Sequence, residues 1–148
     1  MIKRRTMLSL ALLGGAASAV AREPEITNIR FGVVRQISEG IFEFVEETTR
    51  IQRRLKSTGY RFGIGFDNPE CKMIEWFEQI HLPKPLKEVT GNLQQARTSV
   101  MRSITFKSDR PTVIDEFWFD EGDPVGEHRL ELFVNGKIRD WFDFIVVP

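Results

Sequence analysis

Few side chains in this 148-residue sequence could do chemistry, and their spacing limits what that chemistry could be. The two histidines are His81, in "QIHLPKP", and His128, in "GEHRLELFV". A hydrolytic triad needs an oriented imidazole beside a nucleophile, and no G-x-S-x-G elbow occurs in the chain. His128 shares its strand parity with Leu130 and Leu132, which makes it a core or rim residue rather than a base. Two histidines and the single cysteine, Cys71, stand too far apart in sequence for the local spacing of a zinc site. No motif for a bound cofactor is present, so no catalytic, cofactor or metal residue is assigned.

Charged clusters offer more. "FDEGDP" sets Asp120, Glu121 and Asp123 within four positions. These are hard oxygen ligands suited to calcium, but the D-x-D-x-D-G loop with its distant glutamate is missing, and Asp and Gly also favour turns for backbone reasons. "RIQRRLK", Arg50 to Lys56, is a basic run. It reads as an edge strand guarded by positive charge, or as a patch for an acidic partner or lipid headgroups. Of the three tryptophans, Trp118 and Trp141 fall opposite the main phenylalanine rows; they could form a platform for a sugar ring or a partner peptide, or equally be covered by the stretch Lys84–Ala96. The expected interaction surface is therefore Arg50, Arg53, Arg54, Trp118 and Trp141.

What positions these residues is β structure. "GYRFGIGFD" puts Tyr60, Phe62, Ile64 and Phe66 on one side with Arg61, Gly63 and Gly65 on the other. Ile29, Phe31 and Val33 alternate in the same way, as do Val113 with Phe117, and His128, Leu130, Leu132 and Val134. "RIQRRLKS" reads as a weaker strand, with Ile51, Arg53 and Leu55 on one face. "KMIEWFEQIH" alternates through Ile74, Trp76 and Ile80, although a short amphipathic helix fits the same residues. Pro83 and Pro85 end it. The stretch from Lys84 to Ala96 reads as a loop. Asn135-Gly136 between two alternating runs marks a tight hairpin, because both residues tolerate the positive φ of a type I′ turn. Turn signals every 8–12 residues or so predict an all-β, immunoglobulin-like antiparallel sandwich of seven to nine strands.

The N-terminus reads as an export signal. "MIKRR" is a positive n-region, and the uncharged Thr6–Ala21 run is 16 residues, short of the ~20 needed to span a bilayer. Small residues before Ala19 or Ala21 offer cleavage sites. Arg4-Arg5 also fits the twin-arginine pattern, although a general secretory signal accounts for the same residues, and both routes lead out of the cytoplasm. The predicted organisation is a cleaved signal over 1–21 and one sandwich domain over 22–148. The latter holds 18 basic and 21 acidic side chains, a balance without the net positive charge that nucleic acid selects. Cys71 has no partner for an internal disulfide; it is either buried or free to pair between chains, and burial is expected, as for most free cysteines.

"RFGVVRQ", "TTRIQRRLKSTGYRFGIGF" and "ITFKSDRPTVIDEFWFDEGDPVGEHRLELFVNGKIRDWFDFIVV" together resemble a bacterial family known as domain of unknown function 3859. The resemblance covers nearly all of the chain after the signal and implies an immunoglobulin-like sandwich without an established activity. The functional expectation is an exported, periplasmic, non-enzymatic binding module, with a protein or a glycan as partner. One alternative is an inhibitor or immunity-type protein that blocks an enzyme with the Lys84–Ala96 loop. The other is a hydrolase on a sandwich scaffold, using His81 or His128.

Overall fold

The structure, a computed structural model, describes residues 22–85 and 99–148. The expected signal segment, 1–21, and most of the expected loop, from 86 on, lie outside the described residues. The described chain forms β1 (Thr27–Ser38), β2 (Ile41–Glu47), β3 (Arg50–Gln52), a 3₁₀ turn (Arg53–Thr58), β4 (Tyr60–Asp67), β5 (Ile74–His81), β6 (Val100–Arg102), β7 (Phe106–Ser108), β8 (Thr112–Phe117), β9 (Gly126–Val134) and β10 (Lys137–Val147). These make two facing sheets. Sheet 1 has the order β2-β1-β4-β8, and sheet 2 the order β3-β10-β9-β5-β6, with β7 also on β5.

On β4 and β9 the alternation read from sequence is the alternation that packs, whereas on β10 a bulge after Ile138 turns that residue outward, away from the row of Phe144 and Val146. Phe62, Ile64 and Phe66 of β4 are each at most 1% exposed and face Leu130, Leu132 and Val134 of β9 and Phe144 and Val146 of β10. Each such side chain contributes about 1.5–3 kcal/mol by leaving water, which is why the period-2 register cannot slip. An aromatic cluster centres on Phe62, which stacks on Phe119 at 4.7 Å and lies 5.5–6.1 Å from Phe31, Phe117 and Phe144.

Four local readings are corrected. The basic run is a strand only over Arg50–Gln52, and Arg53–Thr58 turns as a 3₁₀ helix that ends at Gly59 with φ 83°. Ile51 is fully buried and Leu55 packs on the core, so both anchors fit a turn as well as a strand. The β3–β10 pair is parallel, because the chain crosses from sheet 1 to sheet 2 after β2 and enters alongside β10. Ten strands appear among the described residues rather than seven to nine, as three of them are only three residues long. Cys71 is exposed, in a turn where it takes φ 49°, and Asn68 is the buried residue there, donating to the Lys72 carbonyl at 2.8 Å.

Two glycines are required by geometry. A Cβ on Gly63 would lie 2.4 Å from the Asp115 carbonyl oxygen, so glycine lets β8 lie close against β4. Asn135 and Gly136 have φ 49° and 78° at the β9–β10 hairpin. The Asn135 side chain also accepts a bond from the Glu75 amide at 3.0 Å, tying that turn to β5.

Candidate functional site

The outer face of sheet 2 gathers half-buried apolar side chains of β5 and β9 and exposed ones of β10. Register sets Phe77 of β5 beside Phe133 of β9 and Phe133 beside Ile138 of β10. The two phenylalanine rings stack at 4.6 Å and 7°, capped by the Arg102 guanidinium 3.8 Å from the Phe77 ring. The next rows carry Trp141 opposite Glu131, Asp143 opposite Arg129, and Ile145 opposite Glu127. Trp141 is 53% exposed and Ile138 49%. Arg129 makes a two-pronged pair with Asp143 at 2.7 and 3.0 Å and approaches the Trp141 ring at 5.9 Å. His81 Nε2 lies 3.0 Å from Glu131 Oε2 but without the alignment of a hydrogen bond. Arg50 borders this face, because β3 pairs it with Ile145.

The other sequence-derived candidates meet elsewhere. Arg53 and Arg54 line a cleft of about 410 Å³ with Lys56, Phe119, Asp120 and Glu121. Beside it, Trp118 is exposed, with Lys56 Nζ 4.9 Å and the Arg61 guanidinium 5.8 Å from its ring. Arg53 donates to the Asp123 carbonyl at 3.4 Å, and Lys56 pairs with Asp120 at 3.3 Å. The acidic triplet is a closed turn: the Asp120 amide donates to the Asp123 carboxylate at 2.7 Å and the Asp123 amide to the Asp120 carbonyl at 3.1 Å. The five expected surface residues thus divide into Arg50 and Trp141 on sheet 2, and Arg53, Arg54 and Trp118 at the 3₁₀ turn.

Between the sheets lie polar groups that the sequence reading passed over. Glu78, 1% exposed, follows Ile74 and Trp76 on the inner row of β5. Asp115 occupies the inner row of β8 between Val113 and Phe117, opposite Ile64. Burial pushes the Glu78 carboxyl up to about 8, helped by the Asp115 charge and opposed by the Ser103 bond. Burial likewise raises Asp115 to about 6, against the bond from the Glu116 amide. The signal was available: alternation through Ile74, Trp76 and Ile80 obliges Glu78 to point inward, as Val113 and Phe117 oblige Asp115.

His128 is buried, stacked on Phe144 at 5.2 Å and edge-on to Phe119 at 5.5 Å. Burial lowers its pKa, so the ring is neutral, and Nδ1 lies 2.9 Å from the Gly126 carbonyl. An Nδ1–H donated there leaves the Nε2 lone pair without a partner. Among the described residues, no three His, Cys, Asp or Glu side chains converge as metal ligands, and no helix is long and apolar enough to cross a membrane.

The chain is similar to solved structures of low sequence identity. An immunoglobulin-like protein from Pseudomonas aeruginosa, PA1606, aligns with a TM-score of 0.59 at 18% identity, over 83% of this chain and 97% of that one. The soluble domain of PmoD from Methylocystis sp. ATCC 49242 (Rockwell) aligns with a TM-score of 0.45 at 16% identity, over 85% of this chain and 94% of that one. No curated protein matches the chain. The first of these likenesses agrees with the immunoglobulin-like sandwich expected from sequence, and a family model matches residues 29–147. The chain belongs to the PM0630 beta sandwich domain family.

Proposed function

We propose that the protein is an exported, periplasmic interaction module without catalytic activity, which docks a partner protein on the outer face of sheet 2. The observation that carries this reading is the coincidence of Trp141, Ile138 and the Phe77–Phe133 stack on one exposed face. Exposed apolar groups rimmed by charge mark interaction surfaces, and Trp and Arg there are the residue types that dominate binding energy. Arg102, held against the Phe77 ring, is set to pair with a partner carboxylate, whereas Arg129 is already paired with Asp143 and serves as part of the charged rim.

The proposal includes the expected organisation, a signal over residues 1–21 followed by one domain over 22–148, and the kinship with domain of unknown function 3859 suggested by the same residues. A photo-crosslinker at position 141 should capture a single periplasmic protein. The same group at Val45, on β2 of sheet 1, should not. Trp141→Ala should weaken capture tenfold or more, the loss of a binding anchor of about 2 kcal/mol. Equal capture from both positions, or a glycan as the only bound species, refutes the reading.

The cleft beside Trp118 favours a second reading, recognition of an acidic partner through Arg53 and Arg54. In that case Arg54→Glu abolishes capture and Trp141→Ala leaves it unchanged.

A further inference from the structure

Ser103 sits between β6 and β7, the two short strands that cover the outer edge of β5. Its hydroxyl oxygen has three hydrogen-bond neighbours: the Glu78 amide at 3.0 Å, Glu78 Oε2 at 2.8 Å and the Ile104 carbonyl at 2.8 Å. Its own amide donates to the Glu78 carbonyl at 3.0 Å. A hydroxyl has one proton and two lone pairs. If Glu78 is ionised, the carboxylate and the Ile104 carbonyl compete for that proton and one is left without it. If Glu78 carries a proton on Oε2, all three bonds form at once: the amide and the acid donate into Oγ, and Oγ donates to Ile104.

We propose that Glu78 is a proton-operated latch, which in its protonated form ties the β6–β7 edge to β5 through Ser103 and on ionisation releases it. The surroundings make release the outcome of ionisation. The Trp76 side chain reaches the Glu78 carboxyl and favours its ionised form, but the indole nitrogen and Glu78 Oε1 are both buried without an aligned hydrogen bond, so this support is outweighed by burial and a carboxylate there has one weakly held oxygen. Asp115, from β8 across the sandwich, is the charged group that faces it. On β5 itself its inward neighbours are Trp76 and Ile80, and on β9 it lies beside Leu132. The charges of the covering edge point away: Arg102 lies over Phe77 on the outer face, and Lys107 pairs with Glu75 at 2.8 Å. A buried carboxylate whose donors do not offset its burial is relieved by water, and the cheapest route for water is the β6–β7 edge. Each of these strands pairs with β5 over only three residues, and Met101 and Ile104 are exposed. Opening there bares the edge of β5 and leaves the β9–β10 hairpin closed.

Hydrogen exchange of the full chain, corrected for the intrinsic pH dependence of amide exchange, tests the latch. Opening that releases one proton grows about tenfold per pH unit while the closed form holds the proton and the open form does not. Protection of amides 100–108 should therefore fall about a hundredfold from pH 6 to 8, with the β9–β10 amides unchanged. Glu78→Gln, whose amide can donate to Ser103 as the acid does, should keep those amides protected at both pH values. Ser103→Ala should lower their protection already at pH 6. A wild-type change below threefold overturns the proposal, as does the wild-type slope persisting in Glu78→Gln.

Discussion

Two phenylalanine stacks of nearly the same geometry occupy different environments, and that contrast yields a sharp test. Phe62 and Phe119 stack at 4.7 Å and 7° inside the sandwich, and Phe77 and Phe133 at 4.6 Å and 7° on its outer face. The ring–ring interaction beyond area burial is about 0.5–1.5 kcal/mol in either case. Burial differs: Phe62 is 1% exposed and touches three further rings, whereas Phe77 is half-buried. Truncating a buried phenylalanine costs about 3–5 kcal/mol, and four aromatic neighbours place Phe62→Ala near the upper end, about 5 kcal/mol. Phe77→Ala should cost about 1–2 kcal/mol, the stack plus the Arg102 contact.

Urea unfolding at fixed pH measures both, with equal slopes required before midpoints are compared. Total stability is about 5–15 kcal/mol, so Phe62→Ala can abolish folding. Phe62→Leu, expected to cost about 1–2 kcal/mol, then supplies the measurement. Phe62→Ala within 1 kcal/mol or so of Phe77→Ala would refute the reasoning, because burial would not be what separates the two stacks.

Two further predictions concern β8. Folding raises the Asp115 pKa from 3.8 to about 6, so the folded state favours the acid. The resulting stabilisation is complete below 3.8 and is lost as pH climbs through 6, on the order of 3 kcal/mol. Asp115→Asn should make the decline between about pH 4.5 and 6 roughly half as steep in urea titrations, leaving the decline due to Glu78, which runs from its unfolded 4.5 up to about 8. A mutant profile parallel to wild type contradicts the placement of Asp115. Gly63→Ala should cost about 2–3 kcal/mol by thermal unfolding, since its Cβ meets a backbone oxygen that moves only if β4 and β8 part. Unchanged stability would mean that the two strands are not so closely opposed.

The inward row of β4, the Asn135-Gly136 turn and the outward parity of Trp118 and Trp141 were legible in the chain, because each depends on residues a few positions apart. Alternation assigns a face, and a positive-φ pair assigns a turn, whatever the rest of the molecule does. The basic run was misread where two geometries bury the same anchors, Ile51 and Leu55. Cys71 was misread because composition describes cysteines in general rather than the turn in which this one sits.

Tertiary structure alone decided which rows face one another. Sequence could place Glu78 and Asp115 inward on their strands, but not set them across the core from each other, nor bring Ser103, 25 residues away, onto the Glu78 carboxyl. It placed Arg50, Arg53 and Arg54 in one cluster, and the 3₁₀ turn divided them between two surfaces. A strand's period is local to the strand. Its partners are set by a core that forms only when all the strands pack at once, and the chemistry of this protein lies in those partnerships.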